Sequence, residues 1–288
     1  MDRTEKINHL DWLLDNGKIA PINLKPLYIE CNTIDMESDI ALYRIMSFDR
    51  LIESLKSQSL SMTKPKIWDD PYETFLMNYK ARMKDGTIVG FQPIREKIFC
   101  QCWSLREECE GLWKARTNNI DRKDNDYKFV KIKICATKLM DYFYDTNNIF
   151  HYLTYFIGRV SYVDEKIIQD ILKDGLGSYF TSYTYMAIIH SLLIKRRAFE
   201  YEDEVRLIFN APDKDGIDYS SVTNKWDLTK DFFSFKIDIN DVIEEITFHP
   251  YLKDEDCSNF EKEIRALGFK RGICHSNLYT KEDIIYDF

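Results

Sequence analysis

Six short runs of apolar and β-branched residues are the feature that most constrains the fold of this chain. Each has about the length of a β-strand and is bounded by polar segments. The runs are IALYRIM from residue 40, KIFCQCWS from 97, YKFVKIKICA from 127, EDEVRLIF from 202, FFSFKIDI from 232 and VIEEITFHP from 242. Because these strands flank a helical stretch instead of alternating regularly with helices, they predict an α+β fold. We expect a mixed or antiparallel β core with a helix-rich insert at about 137–198.

Helical periodicity is concentrated in the middle of the chain and near its end. Apolar positions recur at helical spacing at about 137–157, 164–174 and 179–198, with many tyrosine and phenylalanine residues. A further helix is expected at about 255–267, followed by a last strand at about 269–275.

The order of these segments predicts one main domain with an N-terminal extension. A chain of 288 residues can build one large hydrophobic core. Residues 1–18 have the spacing of a short amphipathic helix, and residues 19–40 contain two prolines and look irregular. We therefore expect an N-terminal helix and arm at 1–38, and a single α+β catalytic-like domain at 39–288.

The charge of the chain argues against general binding to duplex nucleic acid. The formal net charge is −8, whereas proteins that bind nucleic acid non-specifically are usually basic. Two local basic runs, KFVKIKI and IKRRAF, still leave room for a confined phosphate-binding patch. The lysines of the first run alternate along a strand, which predicts that they lie on its solvated face.

The cysteines and the N-terminus are typical of a cytoplasmic protein. The seven cysteines include no C-x-x-C pair, and the spacing of Cys100, Cys102 and Cys109 lacks a nearby fourth ligand for zinc. We therefore expect reduced thiols and no bound metal. The N-terminus is polar, and the most apolar stretch, MAIIHSLLI, is too short to span a membrane.

Two strand ends carry polar side chains suited to holding a ligand. Tyr43 and Arg44 lie on a strand that leads directly into a helix, where a guanidinium could grip a phosphate or carboxylate. A salt bridge at the strand end is the simpler explanation of this arginine. Ser104 ends the buried run FCQCWS; no G-x-S-x-G elbow surrounds it, so we expect a positioning hydroxyl or a turn, not a nucleophile.

A cluster of acids at the start of the fourth strand is the most unusual feature of the sequence. Glu200, Glu202 and Glu204 alternate, which in an extended chain would place all three on one face. They could decorate a solvated strand edge, or they could be aimed at a transient positive charge on a sugar. Arg206 would share their face and could neutralise them.

The segment WDDPYE and the helix that follows the second strand supply further candidates. Asp70 and Glu73 could hold a loop near the cleft, although a proline-anchored turn with aspartate caps is the simpler interpretation. Trp113 and Arg206 are the other candidate cleft residues, and the indole of Trp103 could stack on a ring of a ligand.

Several of these pieces are similar to a bacterial domain-of-unknown-function family, numbered 2971. The resemblance extends over residues of about 40–250, and the matching segments are LYRI, WDDPYE, CWS, LWKA, VSY and K…FEYEDEVR. The last is the most specific, with a lysine, an aromatic residue and then Glu-x-Glu-x-Arg. This family label carries no activity.

The segment LYRIMSFDRLIESLKSQSLSM also resembles the opening of ADP-ribosyltransferase-like domains of the Arg-Ser-Glu class. The resemblance implies that Arg44 grips the phosphates of NAD, Ser104 orients the nicotinamide ribose, and Glu204 stabilises the cation formed as nicotinamide leaves. Glu202 would be the first acid of the motif, which helps to choose the acceptor. The usual Ser-Thr-Ser is Cys-Trp-Ser here, so only its last residue matches, and the insert before Glu204 is longer than in compact members.

The resemblance implies an NAD-consuming enzyme that needs no metal. It would transfer ADP-ribose to a protein or nucleic acid, or hydrolyse NAD, as a bacterial toxin or anti-phage defence effector does. The N-terminal arm could dock a regulatory protein.

Two other functions fit the same residues. A binding module could hold a nucleotide or a nucleic-acid end without turnover, using the basic runs at 128–133 and 195–197. A nuclease could hold Mg²⁺ through Asp69, Asp70, Glu73 and the acids of 200–204. Release of nicotinamide and sensitivity to chelators distinguish the three.

Overall fold

A computed structural model describes most of the chain. The described residues are 5–6, 8–9, 12, 16, 21–78, 80–82, 85–90, 92–117, 127–144, 154–173, 184–212 and 226–280. Most of the helix expected at 1–18 therefore lies outside the described residues. In the described ranges, no helix is long and apolar enough to cross a membrane.

The described residues form fourteen strands, which we number in chain order. They are β1 (Thr33–Ile34), β2 (Ala41–Ser47), β3 (Ser59–Thr63), β4 (Lys80–Arg82), β5 (Ile88–Gly90), β6 (Ile98–Ser104), β7 (Phe129–Cys135), β8 (Tyr155–Arg159), β9 (Ser161–Val163), β10 (Ile194–Arg196), β11 (Glu204–Asn210), β12 (Phe232–Lys236), β13 (Ile243–Phe248) and β14 (Gly272–His275). All six strands expected from the apolar runs, and the last strand near 269–275, are present. Their β-branched and aromatic residues favour strands because such side chains pack well on a pleated, half-buried surface.

Ten of these strands form one sheet. Eight follow in the order β1-β8-β11-β6-β2-β7-β13-β14, while β3 joins through β6 and β12 through β3. The pairs β1–β8 and β13–β14 are parallel, whereas the central pairs are antiparallel. The α+β fold with a mixed sheet is therefore confirmed.

The sheet opens between β2 and β6. These two strands are paired at a single position, Tyr43 with Ser104. Beyond it, β6 leaves β2 and pairs with β3 at Thr63 and Cys100. By contrast, β6 and β11 stay paired over seven positions. The junction of β2 and β6 is therefore a gap in an otherwise continuous sheet.

Helices cover both faces of the sheet. The α-helices are Lys25–Asn32, Phe48–Ser57, Gln92–Arg95, Glu110–Thr117, Ala136–Asp141, Glu165–Lys173, Thr184–Ser191, Ile239–Val242 and Asp254–Ala266, and the 3₁₀ helices are Pro21–Leu24, Pro65–Ile67, Phe75–Asn78 and Arg197–Glu202. The helix after β2 begins as expected, because the Ser47 side chain accepts a hydrogen bond from the Arg50 backbone N–H.

Alternation along the strands divides the hydrophobic residues into two cores. Leu207 of β11 and Ile157 of β8 belong to the larger core, together with residues of β2 and β7. Ile208 and Phe156, which point to the other face, join the smaller core with the helix Thr184–Ser191. The polar residues Glu204 and Arg206 share the face of the smaller core.

The region expected to be an irregular N-terminal arm is part of the fold. Residues 25–32 form a helix in which Tyr28, Ile29 and Cys31 are buried, and β1 extends the edge of the large sheet. The expectation of irregular structure at 19–40 was wrong because a helix that starts with Lys25-Pro26 places its proline at the first turn, where proline is tolerated. A regulatory contact through residues 1–38 stays a prediction.

The insert at about 137–198 contains strands as well as helices. The expected helix at 137–157 ends at Asp141 in the described residues, and 155–157 belong to β8, inside the large sheet. The aromatic residues there suit a strand buried on both faces, so the spacing of apolar residues alone could not distinguish a helix from a buried strand. The helix at 164–174 is confirmed, and the one at 179–198 is confirmed only at Thr184–Ser191, because 194–196 form β10.

Gly158 on β8 allows a neighbouring segment to approach the sheet closely. It lies opposite Arg206 in the register of β8 and β11. A Cβ atom at this position would lie 2.5 Å from Leu193 Cδ1 and 3.1 Å from Ile34 Cβ. The absence of a side chain therefore lets the chain around Leu193, which continues into β10, pack directly on the sheet.

We expect the Gly158→Ala variant to lose about 1–3 kcal/mol of unfolding free energy through overpacking. Gly272→Ala is the matched control on another strand, because its nearest contact would be 3.5 Å. Urea unfolding measures both. Adding Leu193→Ala to Gly158→Ala should cost less than the sum of the single losses. Equal losses for the two glycine variants would contradict this explanation.

Candidate active site

Three strands place the candidate residues in one row. Tyr43 on β2 is paired with Ser104 at the end of β6, and Ser104 is paired with Glu204 at the start of β11. Directly paired residues share a face of the sheet, so these three side chains point the same way. The residues singled out in three distant parts of the sequence therefore lie side by side at the gap between β2 and β6.

A narrow cleft lies at this gap. Its walls include Arg44 and Trp103 from the two diverging strands, and Arg116 from the helix Glu110–Thr117. Glu202 and Glu204 lie at its acidic end. The cavity volume is about 30 Å³, which is room for one or two water molecules.

Arg44 is a half-buried cation that lacks a carboxylate partner among the described residues. Its guanidinium lies 5.9 Å from the centre of the Trp103 ring and makes no hydrogen bond or ion pair within the described part of the chain. Burial, aided by nearby Arg116 and Arg50, lowers the pKa of Arg44 to about 10. The guanidinium stays charged at neutral pH, and an anion in the cleft would relieve the cost of burying it.

Trp103 packs into the core beneath Arg44. Its indole is buried, and its Nε1 donates a hydrogen bond to Gln101 Oε1 at 3.0 Å. In this structure the ring supports Arg44 and presents little surface to a ligand.

The Ser104 hydroxyl fixes the backbone of the acidic segment. Its Oγ donates to the Glu202 carbonyl at 2.6 Å and accepts from the Arg106 N–H at 3.0 Å. Both contacts are to backbone groups, so the buried hydroxyl positions the chain around Glu202.

The extended run expected at 200–204 is a 3₁₀ helix up to Glu202. The strand begins only at Glu204, and Asp203 between them has a left-handed conformation with φ of 41°. Glu200 is exposed and does not line the cleft. The prediction of three acids on one strand face was wrong because the chain turns here, and the Asp203 N–H bonds back to the Glu200 carbonyl. Glu202 and Glu204 still meet, through the turn.

Glu204 is held by two cations. Arg206 Nε donates to its Oε1, and Arg206 Nη2 donates to its Oε2, both at 3.0 Å. Lys195 Nζ lies 3.1 Å from Oε2. Burial alone would raise the pKa of Glu204, but these two cations outweigh it and lower the pKa to about 2. The expected position of Arg206 on the same face is thus confirmed by direct contact.

Glu73 and Glu202 complete a buried ion network. Lys195 Nζ lies 2.9 Å from Glu73 and 2.5 Å from Glu202, and Arg206 Nη2 lies 3.0 Å from Glu73. Burial raises the pKa of Glu73, and the two cations oppose that shift. Three carboxylates and two cations leave a formal charge of −1 when all are ionised.

The remaining candidates lie away from the cleft. Asp70 accepts a hydrogen bond from Arg196 Nε at 3.0 Å and caps the turn at Tyr72. Trp113 is buried, donates to Glu108 Oε1 at 2.8 Å and packs edge-on against His249. Neither lines the cleft, so both have supporting positions.

The positions of two buried lysines, Lys195 inside the network and Lys131 outside it, were not recognised from the sequence. Lys195 belongs to the motif K…FEYEDEVR, yet its partners could not be read from spacing. Lys131 was expected on a solvated face, but it is buried, 3.9 Å from Glu108 and over the Tyr43 ring. That expectation was wrong because Glu108 and the Tyr43 ring lie against Lys131 and cover this part of the β7 face.

The acids converge on cations of the chain. Within the described ranges, no group of three or more His, Cys, Asp or Glu residues is placed to hold a metal ion. In the network, the positions between the carboxylates are occupied by Lys195 and Arg206.

Comparison with known proteins gives a distant likeness. No family model matches the chain, so its similarity to family 2971 is not confirmed, and no curated protein matches. Two similar solved structures are Thermus sp. 2.9 DarT in complex with NAD⁺ and the same protein in complex with ADP-ribosylated ssDNA. Each has a TM-score of 0.38 and 8% sequence identity, and each match covers 83% of this chain. The match covers 96% of the chain in the NAD⁺ complex and 95% of the chain in the ADP-ribosylated ssDNA complex. A likeness at this level assigns no residue.

We expect the Glu204→Gln variant to lose about 3–5 kcal/mol of unfolding free energy at pH 7, because buried cations lose their partner. The folded pKa of Glu204 is lowered, so its stabilisation is present above its ordinary pKa of 4.5 and fades as the pH falls towards 2. The difference in unfolding free energy between wild type and variant should therefore be smaller by about 1–2 kcal/mol at pH 3.5 than at pH 7.

Urea unfolding at both pH values measures this difference in unfolding free energy. Glu261→Gln is the matched control, since Glu261 pairs with Arg265 on an exposed helix surface. Its unfolding free energy should stay within about 0.5 kcal/mol of that of wild type at both pH values. If the difference between wild type and Glu204→Gln grew in acid, the stabilisation of ionised Glu204 by the two cations would be contradicted.

Proposed function

We propose that this chain is an NAD-consuming enzyme of the ADP-ribosyltransferase-like kind, with its site in the cleft between β2 and β6. The observation that carries the proposal is the placement of opposite charges around one gap in the sheet. Arg44, whose guanidinium has no ion-pair partner among the described residues, lies on one wall, and an acidic network with a charge of −1 lies at one end.

The basic wall suits the diphosphate of a dinucleotide. Arg44 has no carboxylate partner among the described residues, and Arg116 and Arg106 also line the cleft. Guanidinium groups bind phosphate oxygens through paired N–H donors, which gives both affinity and orientation. Arg44 would take the main role because it is the most buried of the three.

The acidic end suits the reacting ribose. When the bond between the ribose C1′ and nicotinamide breaks, nicotinamide leaves with the bonding electrons and positive charge develops on the ribose. Before cleavage the positive charge lies on the nicotinamide ring, so a fixed carboxylate beside C1′ stabilises the transition state, in which the charge has moved to the ribose, more than it stabilises bound NAD. A nucleophile then attacks C1′ and loses its proton.

The nucleophile defines the outcome. Water would give hydrolysis of NAD, and a protein or nucleic-acid group would give transfer of ADP-ribose. A role as a bacterial toxin or anti-phage defence effector in the cytoplasm, with restraint by a partner at the N-terminal arm, fits such an activity.

NAD entry requires the cleft to widen. A cavity of about 30 Å³ is far smaller than the several hundred Å³ typical of ligand sites. The helix Glu110–Thr117 lines the cleft on the side away from the sheet through Leu112, Ala115 and Arg116. Displacement of this helix, or separation of β2 from β6, would admit the dinucleotide.

A second candidate is nucleotide binding without turnover. It is favoured by the contacts of Glu204, whose two oxygens both bind cations of the chain. An acid neutralised in this way contributes less to a developing positive charge. This function would use the same basic wall.

We expect the purified protein to release nicotinamide from NAD in the presence of a chelator. Arg44→Gln should weaken NAD binding by about 10- to 100-fold, because the phosphates lose charge-assisted hydrogen bonds. Arg197→Gln, which removes an exposed arginine paired with Asp164 outside the cleft, should leave binding unchanged. Calorimetry measures binding, and chromatography measures nicotinamide.

The outcomes separate the two candidates. Binding that depends on Arg44 without nicotinamide release, at high enzyme concentration, would favour the binding module. Absence of NAD binding would refute the NAD-consuming enzyme and a module that binds NAD. Cleavage of nucleic acid that disappears when chelator is added would point to a metal-dependent nuclease.

A further inference from the structure

We propose that Glu202 is the acid that faces the substrate, that Glu204 is a buried support, and that Lys195 is the positioning residue that holds Glu202. This inference rests on the proposed function, and it reverses the roles that the Glu-x-Glu resemblance implies for the two acids.

Glu204 has little carboxylate surface left for a substrate. Arg206 binds both of its oxygens, Lys195 binds Oε2, and the Cys102 thiol also hydrogen-bonds to it. Only 4% of its side chain is exposed. A substrate atom could reach this carboxylate only by displacing a buried cation.

Glu202 has one oxygen held and one oxygen available. Its Oε2 lies 2.5 Å from Lys195 Nζ, whereas its Oε1 has no polar partner in the part of the chain that the structure describes. Its side chain is 17% exposed, about four times as much as that of Glu204, and it lines the cleft. It is therefore the acid of the network with an accessible oxygen at the cleft.

The backbone around Glu202 is fixed, so the free oxygen has a defined position. The Ser104 hydroxyl binds the Glu202 carbonyl, and the Leu105 N–H binds the Asp203 carbonyl at 2.8 Å. The Glu204 N–H donates to the Tyr162 hydroxyl at 2.8 Å. Three consecutive residues are thus anchored to the end of β6 and to β9, as preorganised charge stabilisation requires.

Lys195 determines the direction of the Glu202 side chain. It is buried, and its Nζ contacts the carboxylates of Glu73, Glu202 and Glu204 within 3.1 Å. Without it, three acids would share Arg206 alone, with a formal charge of −2 in a buried site. Like charges at such distances repel, so Glu202 would turn away from the network.

The assignment gives Glu202 a defined chemical role. Its unpaired oxygen lies against the ribose as the C1′–nitrogen bond breaks, and it stabilises the positive charge until a nucleophile attacks C1′. Glu204 and Lys195 stay bound to one another throughout and do not contact the reacting atoms.

Isosteric variants separate the two acids. We expect Glu202→Gln to reduce nicotinamide release at least 100-fold while NAD binding and the unfolding midpoint change little. Glu204→Gln should lower the unfolding midpoint, yet retain at least a tenth of the specific activity at a temperature where circular dichroism shows it folded. The reverse pattern in folded variants would overturn the proposal.

Chemical labelling tests the free oxygen without relying on activity. A water-soluble carbodiimide with glycinamide, followed by mass spectrometry, should modify Glu202 and the exposed Glu200, but not Glu204. Excess NAD should protect Glu202 and leave Glu200 reactive. Labelling of Glu204 with Glu202 unmodified would refute the proposal, whether or not the wild type is active. Inactivity of the wild type by itself would refute only the proposed function.

Variants of Lys195 test positioning. Lys195→Met should lower kcat at least tenfold with KM for NAD little changed, because the Glu202 carboxylate loses the cation that orients it. Lys195→Arg should restore part of kcat. Unchanged kcat in a folded Lys195→Met protein would overturn this role.

Discussion

The buried side chain of Arg206 is the contact on which the arrangement of the site depends. It has no exposed surface, and it binds Glu204 on its own strand, Glu73 from the WDDPYE region and the Leu192 carbonyl. These groups come from three separate parts of the sequence. Because an unpaired buried charge costs several kcal/mol, each of these parts is held in place by the need to satisfy one guanidinium. Lys195 extends the same constraint to Glu202.

The two sides of the cleft use charge in opposite ways. On the acidic side, nearly every carboxylate oxygen is matched by a cation, which makes that side rigid. On the basic side, Arg44 rests on an aromatic ring and has no carboxylate partner in the described residues. An unmatched half-buried charge reduces stability unless a ligand completes it. One such cation beside an ion network whose charges are paired is typical of a binding site, because functional sites often contain groups that reduce the stability of the free protein.

The sequence predicted the elements of the site better than its contacts. The alternation of side chains between the two faces of a strand correctly placed Arg206 beside Glu204, because both residues lie inside a regular strand. The same rule failed for Glu200, because a left-handed residue at 203 ends a 3₁₀ helix before the strand starts. The burial of Lys131 and Lys195 was not predictable, since their acidic partners are at least 7 residues away and as far as 122. Lysine is buried only where such remote partners meet it.

The architecture of the sheet also determines where a ligand could enter at least cost. Seven positions pair β6 with β11, so separating them would break many backbone hydrogen bonds and expose the network. Only Tyr43 and Ser104 pair β2 with β6, and the two strands already diverge beyond that point. Widening the gap there leaves both flanking ladders intact. It also leaves the Ser104 hydroxyl on Glu202, so the acidic side keeps its geometry while Arg44 moves with β2. The single pair at this junction therefore makes the basic wall movable and the acidic wall fixed.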